Sequence, residues 1–414
     1  SRFNENKVKR KKAFPIGPTV ILDQERCILC TRCVRFTQEV SKTGELGVHD
    51  RGHLSEIDIF PGVELNNHYS GNVVDICPVG ALTDRDFRFQ CRVWFLGSTP
   101  SICPGCSRGC NIEIHYNERF NARYHDRRVH RLKPRYNKEV NGYWMCDEGR
   151  YAYHAIDAAN RLTSPRIRRG ESYQPVSWDE AIGKAAQVLR DTLKEHGPAG
   201  VALLASPQMT NEELFRLSLL FRDGLKVENV EYRLPTRQPV YSDDLLITAD
   251  KNPNSRGAEA LGLAGKGSEA LLRDCAEGRV RCLYVCHHDL TLGFDPGAVK
   301  NALSRVEFVV YQGSWNNPTA EFADIVLPAA VYAEKVGTFT NLQGRVQRIH
   351  AAVTPMAESL PDLDILARLA AALEIPLRAA SAAQVFEEMA QQVSAYAGMS
   401  YAGIGDTGQC LKQG

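Results

Sequence analysis

A chain of 414 residues, 43% hydrophobic and 24% charged, is long enough for two or three compact units with buried cores. Its 50 Lys and Arg against 49 Asp and Glu leave a formal charge of +1, too balanced for a globally cationic binder of nucleic acid. The longest apolar runs, such as 201–205 and 325–331, fall far short of the roughly 18 residues a membrane-spanning helix needs.

Residues 1–22 are basic overall, with Lys7, Lys9, Arg10, Lys11 and Lys12 leading into no cleavable apolar segment. That predicts a soluble protein on the reducing side of a membrane, and a start at Ser1 reads as a trimmed or processed chain. After the break at Gly17-Pro18, Cys27, Cys30 and Cys33 form C-x2-C-x2-C, and Cys77-Pro78 follows after 43 residues. The intervening segment is polar and punctuated by Gly44, Gly47, Gly52, Gly62 and Gly71, which predicts loops and small strands. Cys103, Cys106 and Cys110 then form C-x2-C-x3-C, with Cys146 after 35 more residues. Alternation over 112–116, a turn over 117–121 and a basic stretch to about 132 predict a hairpin between the third and fourth cysteines of this set. Seven Arg or Lys between Arg119 and Arg135, interleaved with Phe120 and Tyr124, pose the question of a nucleic-acid patch; a solvated face, or cations around an anionic cofactor or acidic partner, is the plainer expectation.

Nine of the 13 cysteines thus lie in the first 146 residues, eight of them in two sets of four. Each set offers three thiolates on one tight loop and a fourth brought in by folding, which is the donor count of a cubane cluster. Short spacing lets the chain wrap a cluster face with its amides directed at the sulfurs. No second short run accompanies Cys77, so it is assigned with Cys27, Cys30 and Cys33. Disulfides do not suit a large chain without an export signal. Structural zinc is the alternative, although zinc ribbons usually draw their ligands from two separated C-x2-C pairs. Cys91, Cys275, Cys282, Cys286 and Cys410 show no ligand spacing apart from Cys282-x3-Cys286 before His287 and His288, a segment that reads as a buried strand.

From about residue 153 strand and helix signals alternate. Ser177-x-x-Glu180 opens a helix over 181–193 that stops at Gly197-Pro198; a strand over 201–205 follows; Thr210-x-x-Glu213 opens a helix over 214–222, ended by Gly224. Helices over 268–276 and 296–303 and strands over 280–286, 306–311 and 324–327 complete the expectation of a doubly wound, mainly parallel sheet. Gly262, Gly265 and Gly267 around Lys266 satisfy neither phosphate-binding pattern and read as a flexible surface loop.

These residues carry a family likeness. Cys27-Ile-Leu-Cys30-Thr-Arg-Cys33-Val-Arg-Phe, the stretch from Ser70 through Asp75-Ile-Cys77-Pro to Thr83, Cys103 to Cys110, and Cys146-Asp-Glu-Gly-Arg150 together resemble the large iron-sulfur subunit of bacterial NADH:quinone oxidoreductase, respiratory complex I. Ser177-Trp-Asp-Glu-Ala181, Ala323-Asp-Ile-Val-Leu-Pro328 and Gly337-Thr-Phe-Thr-Asn341 are similar to motifs of the wider molybdopterin oxidoreductase superfamily. The resemblance implies a 4Fe–4S cluster of the electron wire on Cys27, Cys30, Cys33 and Cys77. It implies a second 4Fe–4S cluster, off the main path, on Cys103, Cys106, Cys110 and Cys146. It also implies an α/β fold with an N-terminal iron-sulfur region (1–96), a small β-rich cluster subdomain (97–152) and an α/β domain of molybdopterin-oxidoreductase type (153–394); the last 20 residues, rich in Gly, Ala and Ser, read from their composition as a flexible, frayed tail (395–414). By the same resemblance the chain has no catalytic residues of its own. It would pass single electrons from a flavin- and NADH-binding subunit toward quinone-side iron-sulfur subunits, peripherally at the cytoplasmic face of the bacterial inner membrane. Members normally begin with further cluster domains, so this chain reads as a fragment or as a shortened form whose missing domains belong to another chain. Molybdopterin is not expected: no cysteine occurs between Cys146 and Cys275, the aligned segment is Tyr232-Arg-Leu-Pro-Thr-Arg237, and Glu148 puts an anion where pterin enzymes tend to have Lys. Ser or Asp ligation, as in a formate dehydrogenase-like enzyme, stays open at this point. Arg26, Arg32 and Arg35 flank the first set, and Arg108 and Arg150 the second.

Overall fold

The computed structural model describes residues 8–117 and 127–412. Strands β1 (Phe14–Pro15) and β2 (Val20–Leu22) pair antiparallel. The turn between them passes so close to the next segment that a Cβ on Gly17 would lie 2.1 Å from the Leu65 carbonyl oxygen. Helix α1 (Arg32–Arg35) continues into a π-helical turn, Phe36–Val40. Hairpin β3 (Leu46–His49) and β4 (Glu56–Ile59) follows, and α2 (Asn72–Ile76) leads to β5 (Leu82–Asp84), which pairs with β2. Short strands of this kind cannot hold together alone. Ile16, Val20, Leu22, Leu46, Ile57 and Val73 close one apolar core over them.

The hairpin expected after the second cysteine loop is present within a three-stranded antiparallel sheet: β6 (Leu96–Ile102), β7 (Asn111–Asn117) and β8 (Val129–Pro134). Ile112 and Ile114 face the core while Glu113 is partly exposed, the period of two that the alternation implied. The expected turn lies, beyond Asn117, outside the described residues, as do Arg119, Phe120, Arg123 and Tyr124. The remaining cations of the basic stretch do not form a solvated face. Arg128 binds Asp157 and Glu334, each at 2.7 Å, Lys133 pairs with Asp75 at 3.3 Å, Arg131 stacks over Phe87, and Arg135 donates to the Asp406 carbonyl. Helix α3 (Asp147–Tyr151) closes this unit.

The third unit is a seven-stranded sheet in the order β10-β9-β15-β14-β13-β11-β12. Strands β9 (Arg166–Arg169) and β10 (Ser172–Pro175) form an antiparallel edge; β11 (Val201–Leu204), β12 (Asn229–Glu231), β13 (Cys282–Cys286), β14 (Phe308–Gly313) and β15 (Ile325–Pro328) are parallel. The doubly wound, mainly parallel sheet expected from the sequence is therefore present. Val201, Leu203, Cys282, Tyr284 and Cys286 pack under α4 (Trp178–His196), α5 (Asn211–Ser218) and α10 (Asp362–Ala372). Ala202, Leu204, Leu283 and Val285 pack on the other face, under α7 (Ser268–Ala276) and α9 (Pro296–Leu303). Burial on both faces is why these strands read as continuous apolar runs. Cys282 and Cys286 sit in this core with no solvent exposure.

The start signals act as anticipated. Ser177 Oγ accepts from the Glu180 amide, and Thr210 and Glu213 make a reciprocal capping box. Gly197 stops α4 at φ 69°. The second helix begins earlier than expected and loosens into a π-helical segment, Leu219–Gly224. Helices α6 (Ser255–Ala260) and α8 (Leu290–Gly293) lie in the connections. Past the sheet, β16 (Gly337–Thr340) and β17 (Arg345–Ile349) form a hairpin, followed by α11 (Ala382–Gln392).

The composition of 395–414 suggested a frayed tail; among its described residues the structure shows packing instead. Tyr396 is fully buried and bonded to Asn211 and Thr340, Met399 and Ile404 are buried, and β18 (Gln409–Cys410) adds to β17. The carbonyls of Asp406 and Thr407 accept from Asn111 and Asn137, tying this segment to the second unit. Glycine and alanine there make close packing possible, which a compositional reading takes for looseness. No helix among the described residues is long and apolar enough to cross a membrane.

Candidate metal centres

The first cysteine loop is bent by two left-handed residues, Leu29 at φ 55° and Thr31 at φ 60°, both costly for side chains that carry a Cβ. That bend turns Cys27 and Cys30 toward Cys33 on α1. Cys77 follows the last turn of α2 and completes a ring of four around one space, lined also by Leu22, Arg32, Ile57, Ala81 and Leu82. Backbone amides approach two of the sulfurs: Leu29 N lies 3.4 Å from Cys27 Sγ, and Leu82 N 3.5 Å from Cys77 Sγ.

The second loop joins β6 to β7, with Cys103 N donating to the Cys110 carbonyl at 2.9 Å. Cys146 caps α3, its Sγ accepting from Gly149 N at 3.3 Å. Cys103, Cys106, Cys110 and Cys146 surround one space together with Met145, Glu148, Leu246, Ile247 and Lys251. The structure thus brings together both cysteine sets, each with its fourth member drawn from a distant segment.

Burial and the charge of neighbouring thiols push Cys33 up to about 12 and Cys146 to about 11; Cys27, Cys103 and Cys110 are raised as well. Thiols raised in this way ionise beside one another only with cationic metal among them. Among the described residues no three His, Cys, Asp or Glu side chains converge on one point as a single metal ion demands. Each quartet rings a space instead, and an all-sulfur donor set fits a polynuclear cluster; Arg32 also lines the first space, and Glu148 and Lys251 the second.

The two centres are fastened to each other next to their fourth cysteines. Asn72 exchanges hydrogen bonds with the Met145 backbone at 2.8 and 3.2 Å, and Gly71 N donates to Asp147 at 2.9 Å. Arg150 is buried and reaches Asp75, on the helix before Cys77, at 2.7 Å. Of the flanking arginines, Arg150 is therefore a strut between the centres. Arg26 pairs with Asp23, Arg108 donates to the Leu246 carbonyl, and Arg32 and Arg35 lie on α1 with solvent access.

Sequence reasoning did not find the strap 241–252, which crosses from the α/β unit over the second centre. Tyr69 donates to Asp243 and accepts from Leu246 N, Ser107 N donates to the Asp250 carbonyl, and Lys251 meets Glu148 at 2.6 Å. Its only local signal is the turn chemistry of Asp250-Lys251-Asn252-Pro253. Gly149 is equally placed by function. A Cβ there would lie 2.8 Å from Cys103 Sγ, so Gly149→Ala is expected to crowd the second quartet, and metal analysis of the anaerobically purified variant should show less iron than the parent.

At the carboxyl ends of the parallel strands, where such sheets bind ligands, the chain's own side chains meet. Lys335 Nζ contacts Glu213 at 2.8 Å and Asp362 at 2.7 Å; His287 and Gln312 also bind Asp362; His288 Nε2 lies 2.9 Å from the Ala205 carbonyl. All are buried except His287, which is partly so. In the segment 232–237, Tyr232 bonds Glu259 and Arg237 donates to the Phe294 carbonyl. The glycine loop is tied down, its Gly265 and Gly267 amides donating to the Glu231 carboxylate, so the anion cradle holds a carboxylate of this chain.

Three family models match. Residues 17–83 match the ferredoxin-like domain of NADH-quinone oxidoreductase subunit 3, residues 97–158 the molybdopterin oxidoreductase Fe4S4 domain, and residues 161–253 and 254–372, more than half of the chain, molybdopterin oxidoreductase. An NADH-quinone oxidoreductase subunit of Streptomyces coelicolor is 36% identical over 234 residues, 56% of this chain and 26% of that relative, so this match spans about a quarter of the relative's length. Its namesake in Rickettsia conorii is 26% identical over 96% of this chain and 73% of its own length. The mitochondrial NADH-ubiquinone oxidoreductase 78 kDa subunit of Candida albicans is 27% identical over 91% and 66%. Among solved structures, acetylene hydratase from Pelobacter acetylenicus superposes with a TM-score of 0.52 at 11% identity, covering 76% of this chain and 74% of its own, which shows the shared fold alone.

Proposed function

We infer that this chain, which belongs to the molybdopterin oxidoreductase family, is a one-electron carrier, the iron-sulfur subunit of an NADH-quinone oxidoreductase. The convergence of two separate cysteine quartets, each around one space, carries the reading. Cys27, Cys30, Cys33 and Cys77 would hold one 4Fe–4S cluster, and Cys103, Cys106, Cys110 and Cys146 a second. Such clusters store one electron each at a potential that the protein sets. The chain's contribution is to bury Cys33, Cys103, Cys106 and Cys110, to half-bury the other four, and to aim amides at the sulfurs. The donors from Leu29, Leu82 and Gly149 draw electron density off Cys27, Cys77 and Cys146 and so favour the reduced form.

Electrons would arrive from a flavin-bearing partner and leave toward a quinone-side partner, with the assembly rather than this chain supplying contact with the cytoplasmic face of the membrane. The α/β domain takes no step through a pterin in this reading. Its strand ends are filled by Lys335, Glu213, Asp362 and His288, and the residue two after Cys146 is the anion Glu148. Anaerobic purification with metal analysis and low-temperature EPR tests the whole reading: about eight irons, about eight sulfides and no molybdenum per chain are expected. Two zincs and no chromophore, or bound molybdenum with turnover of a small substrate such as formate, would overturn it.

A further inference from the structure

Among the described residues, two of those lining the second centre carry charge, Lys251 and Glu148, and they face each other at 2.6 Å. The rest of the lining is thiol, glycine or apolar, a setting in which a fixed charge acts strongly on its neighbours. Lys251 is not a surface side chain that has drifted there. Its flanking backbone is fixed on both sides: Ser107 of the ligand loop donates its N–H to the Asp250 carbonyl at 2.9 Å and meets Thr248 Oγ1 through its Oγ at 3.0 Å, while Gln208 of the α/β unit donates to the Lys251 carbonyl at 3.3 Å. The lysine side chain is 30% exposed against 54% for Glu148, so the cation is the better shielded of the two.

Resting on the reading of Cys103, Cys106, Cys110 and Cys146 as cluster ligands, we propose that Lys251 is a positioning residue that raises the second cluster's reduction potential, with Glu148 as the counter-charge that limits the effect. Reduction adds one electron, and so one negative charge, to a site already surrounded by four thiolates. A cation on the α/β strap favours that form, and a carboxylate on α3 disfavours it. The α/β domain thereby acts on a redox centre to which it contributes no ligand.

Potentiometric titration followed by EPR on the full chain separates this from a purely structural ion pair. Lys251→Met is expected to lower the second cluster's midpoint and Glu148→Gln to raise it. Each should change the equilibrium constant for reduction at least tenfold, equivalent to about 59 mV for a one-electron couple. The double variant should return toward the parent, Lys251→Arg should stay close to it, and the first cluster should not move. A pair that only fastens the strap would alter thermal stability and leave both midpoints in place. Unchanged midpoints, or shifts of the same sign in the two single variants, overturn the proposal. If Lys251→Met fails to assemble the cluster, Glu148→Gln decides alone, and a midpoint that does not rise sinks it. A parent chain with no second EPR signal would instead bring down the two-cluster reading on which the proposal rests.

Discussion

Cys77→Ser should halve the iron of the anaerobically purified protein, from about eight to about four atoms per chain, with an equal loss of sulfide. The other three cysteines of the first set lie on one loop, held by the left-handed turns at Leu29 and Thr31, and survive the substitution in place. A cubane needs a donor at its fourth corner, and among the described residues Cys77, delivered by α2, is the cysteine that joins the other three around the space. A hydroxyl there is a harder and weaker donor to iron than a thiolate. Because Asn72, Asp75, Asp147 and Arg150 fix the α2 segment to α3 through side chains other than Cys77, the second cluster's EPR signal should persist at full intensity. Loss of both signals together would mean that Cys77 serves the second centre or both, and retention of eight irons would remove it from the ligand set.

Lys335→Met is expected to destabilise the protein by about 3–5 kcal/mol, the usual consequence of deleting one member of a buried ion group. Lys335 is 4% exposed and is the shared partner of Glu213 and Asp362, which are 1% and 0% exposed. Burial alone would push the Asp362 carboxyl up, yet the His287 and Lys335 cations hold it well below the usual carboxylate range. Without Lys335, two carboxylates remain in a dry site with no ammonium between them. Adding Glu213→Gln and Asp362→Asn should recover much of the loss, since a neutral network no longer needs the ammonium. Thermal unfolding of the cluster-loaded protein checks this series. Equal melting temperatures for the parent and Lys335→Met would show that water reaches the network, which would reopen the strand ends as a ligand site.

How much of this was legible beforehand depends on the distance along the chain over which each feature is decided. Helix starts at Ser177 and Thr210 and the strand 282–286 follow from a few adjacent residues, because caps and apolar runs act locally. The grouping of Cys77 with the first loop was legible by elimination, and the structure brings those four together. The residues 395–412 misled because small side chains suit both a loose chain and a tightly packed one; only the burial of Tyr396 against Asn211 and Thr340 distinguishes the two.

Short-range spacing along the chain dictates the donor chemistry, two thiol quartets, and the alternation of strand and helix that builds a doubly wound sheet. Folding in three dimensions is what makes Lys251 meet Glu148, Arg128 and Arg161 converge on the buried Glu334, and Lys335 lie between two carboxylates. Coulomb interactions of this kind depend on separation and on exclusion of water. Neither quantity exists until the strand order β14-β13-β11 and the strap 241–252 have carried residues far apart in the chain to the same few ångströms.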